Sequence, residues 1–165
     1  MTSRTMKALA LGLALALTGC AYTFHTTLPD HVQSLRVSSF QNDTLEVGLE
    51  AELTDQLIQA FASDGRIQVS DAQPDAIVEG KIRSYSRQAL SYGSDDGIYQ
   101  FRMILVADFS CKDLQTGEYI AGPKSVKQTL DHQVFGSLAS SERDAQKEIA
   151  QELAKEIVHE VLMAW

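Results

Sequence analysis

AIVEGKIRSYSR, residues 76–87, alternates small or apolar residues with charged and polar ones. A period of two is typical of a β-strand with one buried face, because successive side chains point to opposite sides of a sheet. The inward face is predicted to carry Ala76, Val78, Gly80, Ile82 and Ser84. The outward face is predicted to carry Glu79, Lys81, Arg83, Tyr85 and Arg87.

The same period continues downstream. After the turn-forming residues 91–97, the run 98–112 predicts the second strand of a hairpin. Its core face should hold Phe101, Met103, Leu105, Ala107 and Phe109, with Arg102, Ile104, Val106 and Asp108 opposite. A last strand is predicted over 124–130, beginning at Pro123 or lying at an edge, because proline cannot donate to a strand ladder.

Upstream, the pattern predicts a strand, a helix and a second strand. The first strand falls near 33–40 and ends at the turn-forming residues 41–43. The helix is predicted to begin at a capping box of Asp43 and Glu46 and to stop at Gly65. A short strand at Ile67 and Val69 follows, so the two strands should be parallel neighbours joined by the helix.

The C-terminal segment predicts a second helix. Ser141 and Asp144 form a capping box, and an apolar stripe recurs every four residues as far as Trp165. The order is therefore β-α-β-β-β-β-α. It indicates an α+β fold, a two-layer sandwich with two helices packed on one face of a small mixed β-sheet.

The N-terminus indicates a lipoprotein signal. Arg4 and Lys7 precede the apolar run 8–18, which is too short to span a bilayer, and Leu17-Thr18-Gly19-Cys20 matches a lipobox. An ordinary signal peptide with a chance cysteine is the alternative. We predict a removed signal at 1–19, a lipidated segment at 20–32 with Cys20 as the attachment site, and a single domain at 33–165.

Composition limits the function. Without residues 1–19 the chain has 12 basic and 22 acidic side chains, a formal charge of −10, which disfavours nucleic-acid binding. Cys111 is the only cysteine after Cys20, so it is predicted to be a buried thiol. No nucleophile elbow, phosphate-binding loop or zinc motif is present, and the four histidines are predicted to be surface residues. We therefore expect no enzyme activity, no cofactor and no metal.

An ordered set of residues resembles the lipopolysaccharide-assembly lipoproteins, the LptE family. The N-terminal part of the set is Gly19-Cys20-Ala21-Tyr22-Thr23-Phe24, Leu28-Pro29, Val37, Phe40, Asn42-Asp43-Thr44, Gly48-Leu49 and Leu53-Thr54. The remainder is Asp64-Gly65-Arg66, Ala76, Gly80, Tyr85, Tyr92, Asp113, Gly117, Leu153-Ala154, Ile157 and Trp165. The resemblance covers almost all of residues 19–165.

The resemblance implies a lipid-anchored outer-membrane lipoprotein that faces the periplasm. Such a protein plugs, and helps to assemble, the β-barrel translocon (LptD-like) that delivers lipopolysaccharide to the outer leaflet. The expected partners are that barrel, lipopolysaccharide and, through the anchor, the membrane. The alternative is a periplasmic outer-membrane lipoprotein that acts as an adaptor or activator of a cell-wall synthase or a secretion pore.

The resemblance also implies lipopolysaccharide contacts through basic residues at the hairpin tip and before the last helix. This chain has Asp95 and Asp96 at the tip and Glu142 before the helix. The outward sheet face is the alternative recognition surface, with Lys81, Arg83, Tyr85, Arg87 and Arg102 as candidate contacts to ligand or barrel. An ordinary solvated sheet face would have the same sequence pattern.

Overall fold

The computed structural model describes residues 28–92, 98–134 and 141–163. Its strands are β1 (Ser34–Val37), β2 (Gln41–Asn42), β3 (Gln68–Val69), β4 (Ala76–Tyr92), β5 (Ile98–Asp113) and β6 (Tyr119–Gln133). Its helices are α1 (Leu49–Asp64), between β2 and β3, and α2 (Glu142–Leu162), after β6. The predicted α+β class is confirmed, with the addition of the two-residue strand β2.

The sheet is mixed. Its order is β3-β1-β4-β5-β6, with β2 paired to β4 beside β1. β1 runs parallel to β3, as the strand–helix–strand pattern predicted, and it also runs parallel to β4. β4, β5 and β6 form an antiparallel meander. β6 begins earlier than predicted, at Tyr119, and Pro123 is tolerated within it because β6 is an edge strand.

Both helices pack on one face of the sheet and bury the core there. Their fully buried side chains include Leu53, Leu57, Phe61, Ile149, Leu153 and Ile157. The sheet contributes Met103, Leu105, Ala107 and Phe109 from β5, as the pattern predicted, together with Cys111, whereas the predicted Phe101 is only half-buried. This buried layer fixes which face of the meander remains open to other molecules.

A notch in the sheet at Gly80 receives an aromatic ring. The Phe40 side chain is 2 % exposed and lies against the face of Gly80 that has no side chain. A methyl group at Gly80 would lie 2.6 Å from Phe40 Cζ and still closer to the backbone oxygen of Asp108. Glycine is therefore required at this position for the close approach of the ring to the backbone.

The start of α1 differs from the prediction. The helix begins at Leu49 after Gly48, which has a φ of 95° and makes no side-chain cap. The carboxylates expected to cap the helix have other partners: Asp43 pairs with Lys81 at 3.0 Å, and Glu46 accepts from the Gln146 amide at 2.9 Å. Tertiary contacts of both acids therefore replace the predicted capping box.

The start of α2 agrees with the prediction. Ser141 Oγ accepts from the Asp144 backbone N–H, and the Asp144 carboxylate accepts from the Ser141 backbone N–H. Several predicted features lie outside the described residues: the signal at 1–19, Cys20, the pair Asp95 and Asp96, and Trp165. Within the described ranges, no helix is both long and apolar enough to cross a bilayer.

The Cys111 thiol is fully buried in β5, as predicted. Burial and the nearby Asp113 carboxylate raise its pKa to about 12. Because the thiolate is the reactive species, we expect a chain carrying Cys20→Ser to resist maleimide labelling while folded. Guanidinium chloride should expose the thiol and give complete labelling by mass spectrometry. Rapid labelling of the folded chain would contradict the buried position.

Candidate functional site

One face of the β4–β5–β6 meander lies opposite the helices, and we call it the open face. Its residues follow from the strand register. They are Glu79, Lys81, Arg83, Ser84, Ser86 and Gln88 on β4, Arg102, Ile104, Val106, Asp108 and Ser110 on β5, and Ser125, Lys127, Thr129 and Asp131 on β6. Among the described residues, the two helices do not cover this face, so it is the sheet surface that we consider for a partner.

The predicted cations of the open face are all neutralised by neighbouring acids. Lys81 Nζ lies 3.0 Å from Asp43 Oδ2, and Arg83 Nε lies 3.2 Å from Asp108 Oδ2. These side chains are one-third to one-half exposed, so each pair contributes at most about 1 kcal/mol to stability. The face therefore alternates in charge and is not uniformly basic.

Arg102 makes the most regular of these pairs. Its Nε and one terminal nitrogen donate to the two oxygens of Asp131 on β6, at 2.7 and 2.8 Å. This two-point pairing raises the pKa of Arg102 and lowers the pKa of Asp131. The half-buried Ile104 and Val106 follow Arg102 along β5. The centre of the open face is thus a short apolar strip bordered by ion pairs.

The prediction that Tyr85 and Arg87 share this face is wrong. A β-bulge between Ile82 and Ser84 adds one residue to β4, so the side-chain alternation changes sides after it. Tyr85 pairs in register with Leu105, and Arg87 pairs with Met103, both of which are buried under the helices. Lys81, Arg83 and Arg102 remain on the open face.

Tyr85 and Arg87 contact the start of α2 instead. Arg87 forms an ion pair with Glu142, the first residue of that helix, and its guanidinium lies 5.3 Å from the centre of the Phe101 ring. Tyr85 packs against the core, and burial raises the pKa of its phenol. These two side chains join the distal part of the hairpin to the helical layer.

A second surface lies in the loop between β2 and α1. Leu45 and Val47 are almost completely exposed, at 102 % and 92 %. The loop that carries them is fixed by Asn42, whose amide donates to the Glu46 carbonyl and the Glu50 carboxylate, both at 2.7 Å. The sequence pattern does not predict this surface, because the expected capping box would place both residues inside α1.

His31 and Asp113 form an unpredicted pair at the opposite end of the fold. Asp113 is 3 % exposed, and its Oδ2 lies 2.6 Å from His31 Nε2. His31 is exposed, as predicted, whereas His132 was predicted to be a surface residue and is buried. Within the described part of the chain, no cluster of three His, Cys, Asp or Glu side chains is arranged to hold a metal ion.

A comparison with protein families identifies the domain. The family model for lipopolysaccharide assembly, LptE, matches residues 32–161. The chain belongs to the LptE family. This match covers every described helix and strand except the final residue of α2, so the open face belongs to the LptE domain. A search of curated proteins finds no match.

Solved structures share the fold of this LptE domain at low sequence identity. Protein XCC0632 from Xanthomonas campestris is 13 % identical, with a TM-score of 0.58 over 82 % of this chain and 89 % of its own. An uncharacterized lipoprotein B from Nitrosomonas europaea is 13 % identical, with a TM-score of 0.56 over 88 % and 92 %. A minor lipoprotein from Acinetobacter baumannii is 18 % identical, with a TM-score of 0.53 over 81 % and 94 %.

Proposed function

We propose that this LptE-family chain is an outer-membrane lipoprotein that inserts into the lumen of the β-barrel lipopolysaccharide translocon. In this role it supports barrel assembly and delivery of lipopolysaccharide to the outer leaflet, without catalysis. The family match over residues 32–161 carries the proposal. The lipobox ending at Cys20 supports membrane attachment, and two relatives in fold are described as lipoproteins.

The chemistry of the open face suits the inside of a barrel. The lumen of an outer-membrane barrel is polar, whereas its outer surface is apolar. The ion pairs Arg83–Asp108 and Arg102–Asp131 can exchange partners with charged groups on a barrel wall, and Ile104 and Val106 add a small apolar contact. Lys81, Arg83 and Arg102 are therefore the contacts that we propose from the predicted set.

The partner is tested by purification of the full-length protein from detergent-extracted membranes. A large β-barrel protein in the purified complex is the expected result. A cell-wall synthase or a secretion pore in place of the barrel would support the alternative adaptor function. Mass spectrometry of the N-terminal peptide should show acyl chains on Cys20, and an unmodified Cys20 would contradict the proposed anchor.

The open face is tested by exchanging charges within a pair. Arg102→Asp combined with Asp131→Arg keeps the ion pair and its stability but reverses the local field. We expect barrel capture to fall about tenfold, equivalent to about 1.4 kcal/mol of contact energy, with the melting temperature nearly unchanged. Arg83→Glu combined with Asp108→Arg should act in the same direction.

The matched control is Arg87→Glu combined with Glu142→Arg, which exchanges a pair on the helix-packed side of the sheet. This control should retain barrel capture. If the open-face exchanges capture the barrel as well as the unmodified chain does, this face is an ordinary solvated surface.

A further inference from the structure

The end of the fold where the chain enters the domain is formed by residues 28–33 and the turn between β5 and β6. His31 contacts Asp113 at the start of that turn, and the Leu114 backbone N–H donates to the Asp75 carbonyl at 2.8 Å. Leu28 packs on the core nearby, beside Arg66 and Leu162. Whatever is attached upstream of Leu28 is therefore held close to this end.

A row of four residues crosses the sheet just above this end. Arg36, Ile77, Lys112 and Tyr119 are in direct register across β1, β4, β5 and β6, on the side opposite the helices. Ile77 is only 6 % exposed, although the helical layer does not cover this side. Its neighbours in register, Arg36 and Lys112, have long apolar stems of the kind that can cover such a residue.

The two cations of this row, Arg36 and Lys112, differ from Lys81, Arg83 and Arg102, each of which is paired with an acid. Within the described residues, neither Arg36 nor Lys112 lies within ion-pair distance of a carboxylate, and Arg36 Nε is buried without a hydrogen-bond acceptor. The nearby Asp75 and Asp113 carboxylates accept hydrogen bonds from other groups. A buried donor without an acceptor is unusual in proteins and favours an external anion here.

Two exposed apolar side chains accompany the cations. Tyr119 is 56 % exposed at the end of the row, and Leu114 is 47 % exposed on the adjoining turn. Uncompensated cations with an exposed tyrosine beside them and an exposed aliphatic side chain on the adjoining turn are typical of protein surfaces at the headgroup level of a membrane. We call Arg36, Lys112, Leu114 and Tyr119 the entry patch.

We propose that the entry patch binds the headgroups of anionic phospholipids in the membrane that holds Cys20. This inference rests on the anchor in the proposed function. Cys20 lies eight residues before Leu28, and this length of chain spans at most about 28 Å when fully extended. The tether raises the effective concentration of lipid at the patch, so a few weak contacts suffice to orient the domain.

The test measures the depth of the patch in a bilayer. The chain without residues 1–19 is coupled through Cys20 to a maleimide-bearing lipid in vesicles, and the buried Cys111 is spared. Trp165→Phe removes the only tryptophan, and Tyr119→Trp or Leu90→Trp then introduces a single reporter. Brominated phosphatidylcholine is used alone or with brominated phosphatidylglycerol to quench the reporter fluorescence.

We expect quenching at position 119 that requires phosphatidylglycerol, with little quenching at position 90. Arg36→Gln combined with Lys112→Gln should lower the ratio of tethered domains whose entry patch contacts the bilayer to those whose patch does not. The expected decrease is about 30-fold, equivalent to about 1 kcal/mol per cation. The matched control, Arg143→Gln with Lys147→Gln, removes two exposed cations from α2 and should leave the quenching unchanged.

Equal quenching at the two positions, quenching that ignores lipid charge, or an equal effect of the Arg143 and Lys147 substitutions would overturn the proposal. An absence of quenching at position 119 would also overturn it and would leave the patch to a protein partner. Because coupling is chemical and no barrel is present, these outcomes are independent of natural lipidation and of the translocon assignment.

Discussion

Replacing Gly80 with alanine is expected to lower the free energy of unfolding by about 3 kcal/mol, the upper range for overpacking in a core. The new methyl group would overlap the Phe40 ring and the Asp108 backbone oxygen. The Phe40 ring is 2 % exposed. The Phe40 backbone N–H donates to the Thr54 hydroxyl of α1, so the ring cannot withdraw without disturbing the helix. Urea unfolding followed by circular dichroism measures the loss.

A double-mutant cycle separates the two causes of this loss. In a chain that carries Phe40→Ala, Gly80→Ala should cost less, because only the overlap with the Asp108 backbone remains. Ser84→Ala, a nearby exposed position on β4, is the control and should change stability by less than about 0.5 kcal/mol. Unchanged stability of the Gly80→Ala chain would show that the notch does not hold the ring.

Asp113→Asn is expected to lower the free energy of unfolding by about 2 kcal/mol at neutral pH. Burial alone would raise the pKa of Asp113, but hydrogen bonds from the backbone N–H groups of Thr116 and Gln115 and from His31 outweigh it, and the pKa falls to about 2. A drop from 3.8 to about 2 corresponds to this free energy. Asparagine can still accept from the turn backbone, so the substitution isolates the charge.

The pH dependence of the free energy of unfolding tests the direction of the Asp113 pKa shift. The pKa of Asp113 is lower in the folded state, so its stabilisation is complete above about pH 4 and is lost as the pH falls towards 2. Urea unfolding between pH 7 and 3 should therefore show the unmodified chain approaching the Asp113→Asn chain at the acid end. Asp131→Asn, on the exposed sheet face, is the control and should cost less. Parallel stability curves would contradict the role of Asp113.

The sequence predicted the elements whose signals are local. The capping box at Ser141 and the apolar stripe that includes Ile149 and Leu153 set α2 before any tertiary contact is considered. The alternation from Met103 to Phe109 likewise gave the buried face of β5. In both cases one periodic pattern extends over several helical turns or residue pairs. The local signal is therefore strong enough to determine the element without help from distant residues.

The errors occur where distant residues decide the local structure. Asp43 and Glu46 have the spacing of a capping box, but Lys81 and Gln146 offer partners that only the folded chain brings close. The pair of His31 and Asp113 is separated by 82 positions and has no signature in the sequence. The predicted placement of Lys81, Arg83 and Arg102 on the outward face is confirmed, because the first two precede or form the bulge and the last lies on β5. Their role as contacts stays a prediction.

The bulge in β4 has a consequence for comparing this chain with its relatives. Side chains from Ser84 to Ala89 lie on the side opposite to the one that the alternation before the bulge predicts, because one residue is interposed near Arg83. A relative without that residue would need its polar and apolar positions interchanged along the distal strand to keep the same surface. An alignment of the family across β4 must therefore permit a one-residue gap there, or it will equate residues that point in opposite directions.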